Sequence, residues 1–89
     1  MKDTAKMDMC SSSPIVRIGD FVKVHISFPP DEDGIVGENF WCVVTRIVGG
    51  IQGAADNSVL YTDQHGIKEG DTLDIPLECV FDIDRGELL

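Results

Sequence analysis

Metal or thiol chemistry in this chain would have to come from Cys10, His25, Cys42, His65 and Cys79, its only cysteines and histidines. A zinc site draws its ligands in close pairs such as Cys-x-x-Cys, so that few segments converge on the ion. No two of these residues have that spacing, so neither a metal site nor another cofactor is expected. Asp31-Glu32-Asp33-Gly34 offers oxygen ligands but lacks the length and terminal glutamate of a calcium loop. It reads as a solvated acidic loop. A nucleophilic enzyme would need Cys42 activated by a base, with His25 or His65 on a neighbouring strand. Cys42 stands in the apolar run Phe40-Trp41-Cys42-Val43-Val44, where burial raises a thiol's pKa and leaves it inert. His25 falls on the wet face of a strand, and His65 belongs to a turn before Gly66. No catalytic residue is expected.

Carboxylates dominate the remaining chemistry. Sixteen acidic side chains against seven basic ones give a formal charge of −9. Such a surface repels phosphates, which disfavours direct binding of DNA or RNA. It also keeps a protein soluble, and it permits attraction to a basic protein surface. Asp20 and Asp71 each follow a glycine at the start of a strand. A carboxylate there accepts backbone N–H groups of the turn, a structural role.

The elements that position these residues are strands. Ile18-Gly19-Asp20 precedes an alternating run in which Val22, Val24, Ile26 and Phe28 share one face, with Lys23, His25 and Ser27 on the other. Glu69-Gly70-Asp71 precedes Thr72-Leu73-Asp74-Ile75 in the same way. Between them, residues 40–48 form the most β-prone run, followed by Gly49-Gly50 and a second β-prone segment. A two-residue glycine hairpin would set Val48 opposite Ile51, Val44 opposite Ala55 and Gly53 opposite Arg46. Phe40, Cys42, Val44 and Val48 then lie on one face and Trp41, Val43 and Ile47 on the other. A small barrel buries one such face, so the second needs a loop, the N-terminal tail, a helix or a partner.

Pro29 to Gly34 reads as an exposed loop, Val59-Leu60-Tyr61 as a short strand, and Pro76-Leu77-Glu78-Cys79 as a tight turn before a closing strand. The expected fold is all-β: a small SH3-like barrel of about five antiparallel strands with a short helical turn before the last. Residues 1–13, with Ser11-Ser12-Ser13 and all three methionines, read as a flexible tail, leaving 14–89 as one domain. A membrane-spanning helix needs ~20 consecutive apolar residues, and the chain has no such run. With no secretory signal and an odd number of cysteines, a cytoplasmic setting is expected.

The order Gly37-Glu38-x-Phe40-Trp41-Cys42-Val43-Val44, a glycine hairpin, Gly66-Ile67-Lys68-x-Gly70-Asp71 and a closing Phe81-Asp82-Ile83 is similar to a bacterial family. Its short members carry a Gly-Glu-x-x-Trp-Val strand, a glycine hairpin and a Leu-Lys-x-Gly-Asp strand. Ile67 stands where leucine is usual and Cys42 where valine is usual, and both swaps keep apolar character. The resemblance implies a small β domain and no assigned biochemical activity.

The function expected from these features is a non-catalytic protein-interaction module. Trp41, Val43 and Ile47, rimmed by Asp31, Glu32, Asp33 and Glu38, would face a second copy or another protein. An alternative is an acidic inhibitor or immunity-type protein that uses those carboxylates to occupy a basic nucleic-acid-binding surface. A third is a small enzyme using Cys42 or a histidine.

Overall fold

Period-two alternation decides which residues of the long strands turn inward. In the computed structural model, which describes residues 1–10, 14–56 and 59–85, this alternation runs through two of them. Strand β2 (Phe21–Ser27) buries Val22, Val24 and Ile26, and β3 (Gly37–Ile47) buries Phe40, Cys42 and Val44. The other strands are β1 (Lys6–Met7), β4 (Ile51–Ala55), β5 (Thr72–Ile75) and β6 (Asp82–Asp84). A single helical turn α1 (Thr62–His65) precedes β5, and a 3-10 turn, Leu77–Cys79, precedes β6.

All pairings are antiparallel, in the order β1-β2-β3-β4-β5, with β6 also on β2. Since β3 runs along the whole of β2, β1 and β6 share its opposite edge, β1 at Ile26–Ser27 and β6 at residues 21–23. The fold is therefore all-β, a curled SH3-like half-barrel, as the alternation predicts. Its concave side packs Val22, Val24, Ile26, Val44, Ile67 and Val80 into one core.

The two Gly-Asp turns share one geometry. Gly19 and Gly70 take φ of 93° and 90°, conformations that glycine adopts without strain. In the first turn Gly19 N–H donates to the Val44 carbonyl while Val44 N–H donates to that of Asp20. In the second, Gly70 and Asp71 bracket Ala55 in the same manner. The carboxylates close the turns, Asp20 accepting from Arg17 N–H at 2.8 Å and Asp71 from Lys68 N–H at 3.0 Å. Each turn thus fastens the start of one strand to the neighbouring ladder.

Three expectations are corrected. The β3–β4 hairpin is not a two-residue glycine turn: Ile47 pairs with Ile51 across Val48-Gly49-Gly50, Arg46 pairs with Gln52, and Gly53 lies opposite Val44. A bulge between Val44 and Arg46 takes up the extra residue. Residues 1–10 are not a free tail. Lys6 and Met7 pair with Ser27 and Ile26, Ala5 is buried, Asp8 N–H donates to the His25 carbonyl and Lys2 N–H to that of His65. Ser11–Ser13 lie outside the described residues. Finally, Val59-Leu60-Tyr61 makes no strand; Val59 packs against the core and Tyr61 leads into α1.

Candidate functional site

The outer, convex face of β2, β3 and β6 carries the candidate site. Phe21 sits opposite Val43 on one side and Asp84 on the other; Lys23 sits opposite Trp41 and Asp82. Cross-strand partners point to the same face of a sheet. Phe21 and Lys23 alternate with the buried Val22 and Val24, so this whole set faces outward. Trp41 is half-buried, and Lys23 Nζ lies 5.2 Å from its ring centroid, within cation–π reach. Asp56 N–H donates to the Trp41 carbonyl at 2.9 Å, which brings the end of β4 alongside. Phe21, Trp41, Asp56 and Asp84 line a shallow recess of about 180 Å³.

Of the residues singled out from sequence, Trp41 and Val43 lie together on this face and Ile47 does not. The bulge shifts the parity of β3, and Ile47 pairs with Ile51, whose side chain is in the core. Ile47 is thus carried to the concave side at the hairpin end, where it is 45 % exposed.

The proposed acidic rim is also differently built. Asp31 organises its own loop: its Oδ1 accepts N–H groups from Asp33 at 2.9 Å and Ile35 at 2.8 Å. Glu32 and Asp33 are exposed on that loop. Glu38 turns inward, its side chain 7 % exposed. Its carboxylate accepts Leu60 N–H at 2.7 Å, Tyr61 N–H at 3.0 Å and the His65 Nε2 proton at 2.8 Å. Glu38 is a clamp that ties the segment before β5 to the start of β3. The carboxylates that do rim the aromatic face are Asp56, Asp82 and Asp84.

Nucleophilic and acid–base chemistry finds little footing in the described residues. Desolvation, with a contribution from Asp56, pushes the buried Cys42 thiol up to about 12. Burial, helped by Glu78 and Asp8, also raises Cys79. His65 is fully buried, against Phe28 and Phe40. Its Nδ1 accepts Ile67 N–H at 3.0 Å, so Nε2 carries the hydrogen given to Glu38 and neither nitrogen is left for a substrate. His25 lies flat on Phe81, ring centroids 3.7 Å apart, and burial lowers its pKa against the pull of nearby Asp8. Among the described residues no cluster of three or more His, Cys, Asp or Glu side chains is placed to hold a metal ion. Nor is any described helix long and apolar enough to cross a membrane.

A larger recess, about 410 Å³, opens at the β3–β4 hairpin beside Pro76. Its walls are Val48, the glycine turn, Ile51 and Ile75, with Arg46 and Asp74 of opposite charge. Its lining holds neither an aromatic ring nor a nucleophile. Sequence reasoning missed Phe21, Asp56, Asp82 and Asp84. Phe21 was open to detection, since it shares the parity of Lys23; Asp82 and Asp84 reach it only through the pairing of the distant β2 and β6, and Asp56 through its N–H to the Trp41 carbonyl.

No family model, curated protein or solved structure matches this chain.

Proposed function

We propose that this chain is a non-catalytic protein-interaction module that engages a basic protein surface through the outer face of β2, β3 and β6. The observation that carries this reading is the half-buried cluster of Phe21, Trp41 and Val43 bordered by Asp56, Asp82 and Asp84. Aromatic residues anchor interfaces, and a rim of one charge selects partners of the other. The inert Cys42 and the fully engaged His65 favour binding over catalysis. A second copy is the less suitable occupant, because two-fold pairing of this face would set carboxylate rim against carboxylate rim. A reducing, cytoplasmic setting goes with the odd number of cysteines. Membership of the bacterial family that the motif order resembles belongs to the same proposal.

The test is peptide display against the immobilised full chain, repeated with Trp41→Ala and Val43→Lys. Selected sequences should be rich in basic residues and lost with either variant. Binders that retain affinity for both variants would overturn the assignment of this face. An acidic inhibitor of a nucleic-acid-binding protein would use the same face; nucleic acid displacing the selected partner would single out that version.

A further inference from the structure

Resting on that reading, we propose that the recess between Phe21, Trp41, Asp56 and Asp84 is an arginine-accepting site for a side chain of the partner protein. Two rings and two carboxylates make up the four residues that line it. Ring faces attract cations through their quadrupole, and a guanidinium can stack on a ring while pairing its N–H fork with a carboxylate. Lysine lacks the planar fork and holds its water more tightly, so the same walls suit arginine better. The Trp41 ring already accommodates a cation, the Nζ of Lys23 at 5.2 Å.

Size narrows the occupant further. At about 180 Å³ the recess is smaller than the ~300–1,000 Å³ of pockets that enclose cofactors or drug-sized substrates. One side chain fits; a nucleotide does not. The walls are also held in place by the backbone. Asp84 is the ladder partner of Phe21, and Asp56 is fixed through its N–H to the Trp41 carbonyl. Such anchoring on strands lowers the ordering cost of binding. The formal charge of −9, with Asp82 one row away, steers a basic segment toward the recess.

The experiment titrates the full chain with a short Gly/Ser peptide bearing a central arginine, and with matched peptides bearing lysine or citrulline. Trp41 is the only tryptophan, so its emission reports on the recess directly, and amide shifts map the contact. The arginine peptide should bind several-fold more tightly than the lysine peptide, and the neutral citrulline peptide should bind weakest. Asp56→Asn and Asp84→Asn should each weaken arginine binding by roughly threefold or more. Asp33→Asn, which removes the same charge from the loop outside the recess, should change it by much less.

Equal binding of the citrulline and arginine peptides would overturn the site. So would Asp33→Asn weakening binding as much as the recess variants, which would reduce the effect to overall charge. If either result came with shifts still centred on Trp41 and Val43, the interaction face would stand and the arginine site would fall. Shifts confined to other surfaces with every peptide would remove both.

Discussion

Replacing Glu38 separates a buried structural carboxylate from the exposed ones proposed to bind a partner. Its two oxygens collect three donors: Oε2 takes Leu60 N–H, and Oε1 takes Tyr61 N–H together with His65 Nε2–H. In Glu38→Gln the surviving oxygen settles where two donors converge, and the new NH2 group then faces Leu60 N–H, donor against donor. One charge-assisted bond is lost and the other two are weakened to neutral ones. With hydrogen bonds to charged groups contributing ~1.5–3 kcal/mol, the expected cost is about 2 kcal/mol. Glu38→Ala removes all three acceptors and leaves the fully buried His65 donor without a partner. Its cost should reach about 4 kcal/mol, a large share of the ~5–15 kcal/mol that holds a typical domain folded.

Urea unfolding followed by Trp41 emission reads this directly. At an m-value of roughly 1 kcal/mol/M, suited to so short a chain, the glutamine variant should unfold about 2 M earlier than the parent. The alanine variant should be worse still or fail to fold. A glutamine variant within about 0.5 kcal/mol of the parent would refute the clamp, because an exposed carboxylate changes stability by no more than that. An alanine variant as stable as the glutamine one would refute it as well.

Gly53→Ala would set a Cβ 3.0 Å from that of Cys42 and 3.2 Å from both Ile75 Cδ1 and the Val43 carbonyl oxygen. It should cost about 1–3 kcal/mol in denaturant unfolding, and an unchanged midpoint would show that the core yields there. With its thiol near 12, Cys42 should resist iodoacetamide at about pH 8 in the folded protein and react once urea unfolds it. Rapid native alkylation of Cys42, located by peptide mass, would contradict that burial. His25 has its pKa lowered by burial, so its contribution to stability is complete above the ordinary imidazole value of 6.5 and is lost as pH falls below it. His25→Phe keeps the stack on Phe81 without titrating; between about pH 8 and about pH 5 the parent should therefore lose stability relative to the variant. A constant difference between the two across that range would remove the effect.

Alternation made much of this architecture readable. In β2 the buried and half-buried residues follow strict period two, and the Gly-Asp turns place Asp20 and Asp71 where short polar side chains bond to backbone. The inward turn of Glu38 was also there to be read. It shares the parity of Phe40, Cys42 and Val44, and its ladder partner is the buried Ile26. Treating the residue as surface because it is charged overrode the stronger geometric rule. The bulge left no such trace: Thr45, Arg46 and Ile47 continue a β-prone run, and only the pairing reveals that one residue is extra. The same limit hid β1, because two residues are too few for any period, and hid His65, whose partner lies 27 positions away.

On the proposed function, stability and recognition lie on opposite faces of one strand, and this separation can be tested. Before the bulge, the even-numbered positions of β3 from Glu38 to Val44 point to the concave side, and Glu38 fastens the segment at residues 60–65. Odd-numbered Trp41 and Val43 point outward and form the aromatic face. Asp56 meets that face because its N–H bonds the Trp41 carbonyl, an extension of the β3–β4 ladder that makes no use of Glu38. Glu38→Gln should therefore lower the urea midpoint while leaving the preference for the arginine over the citrulline peptide unchanged under folding conditions. If preference and stability fall together, Asp56 is held by the clamp as well as by the ladder, and the two faces are coupled. The ladder predicts the first outcome, since a backbone bond to Trp41 survives any loosening at Leu60 and Tyr61.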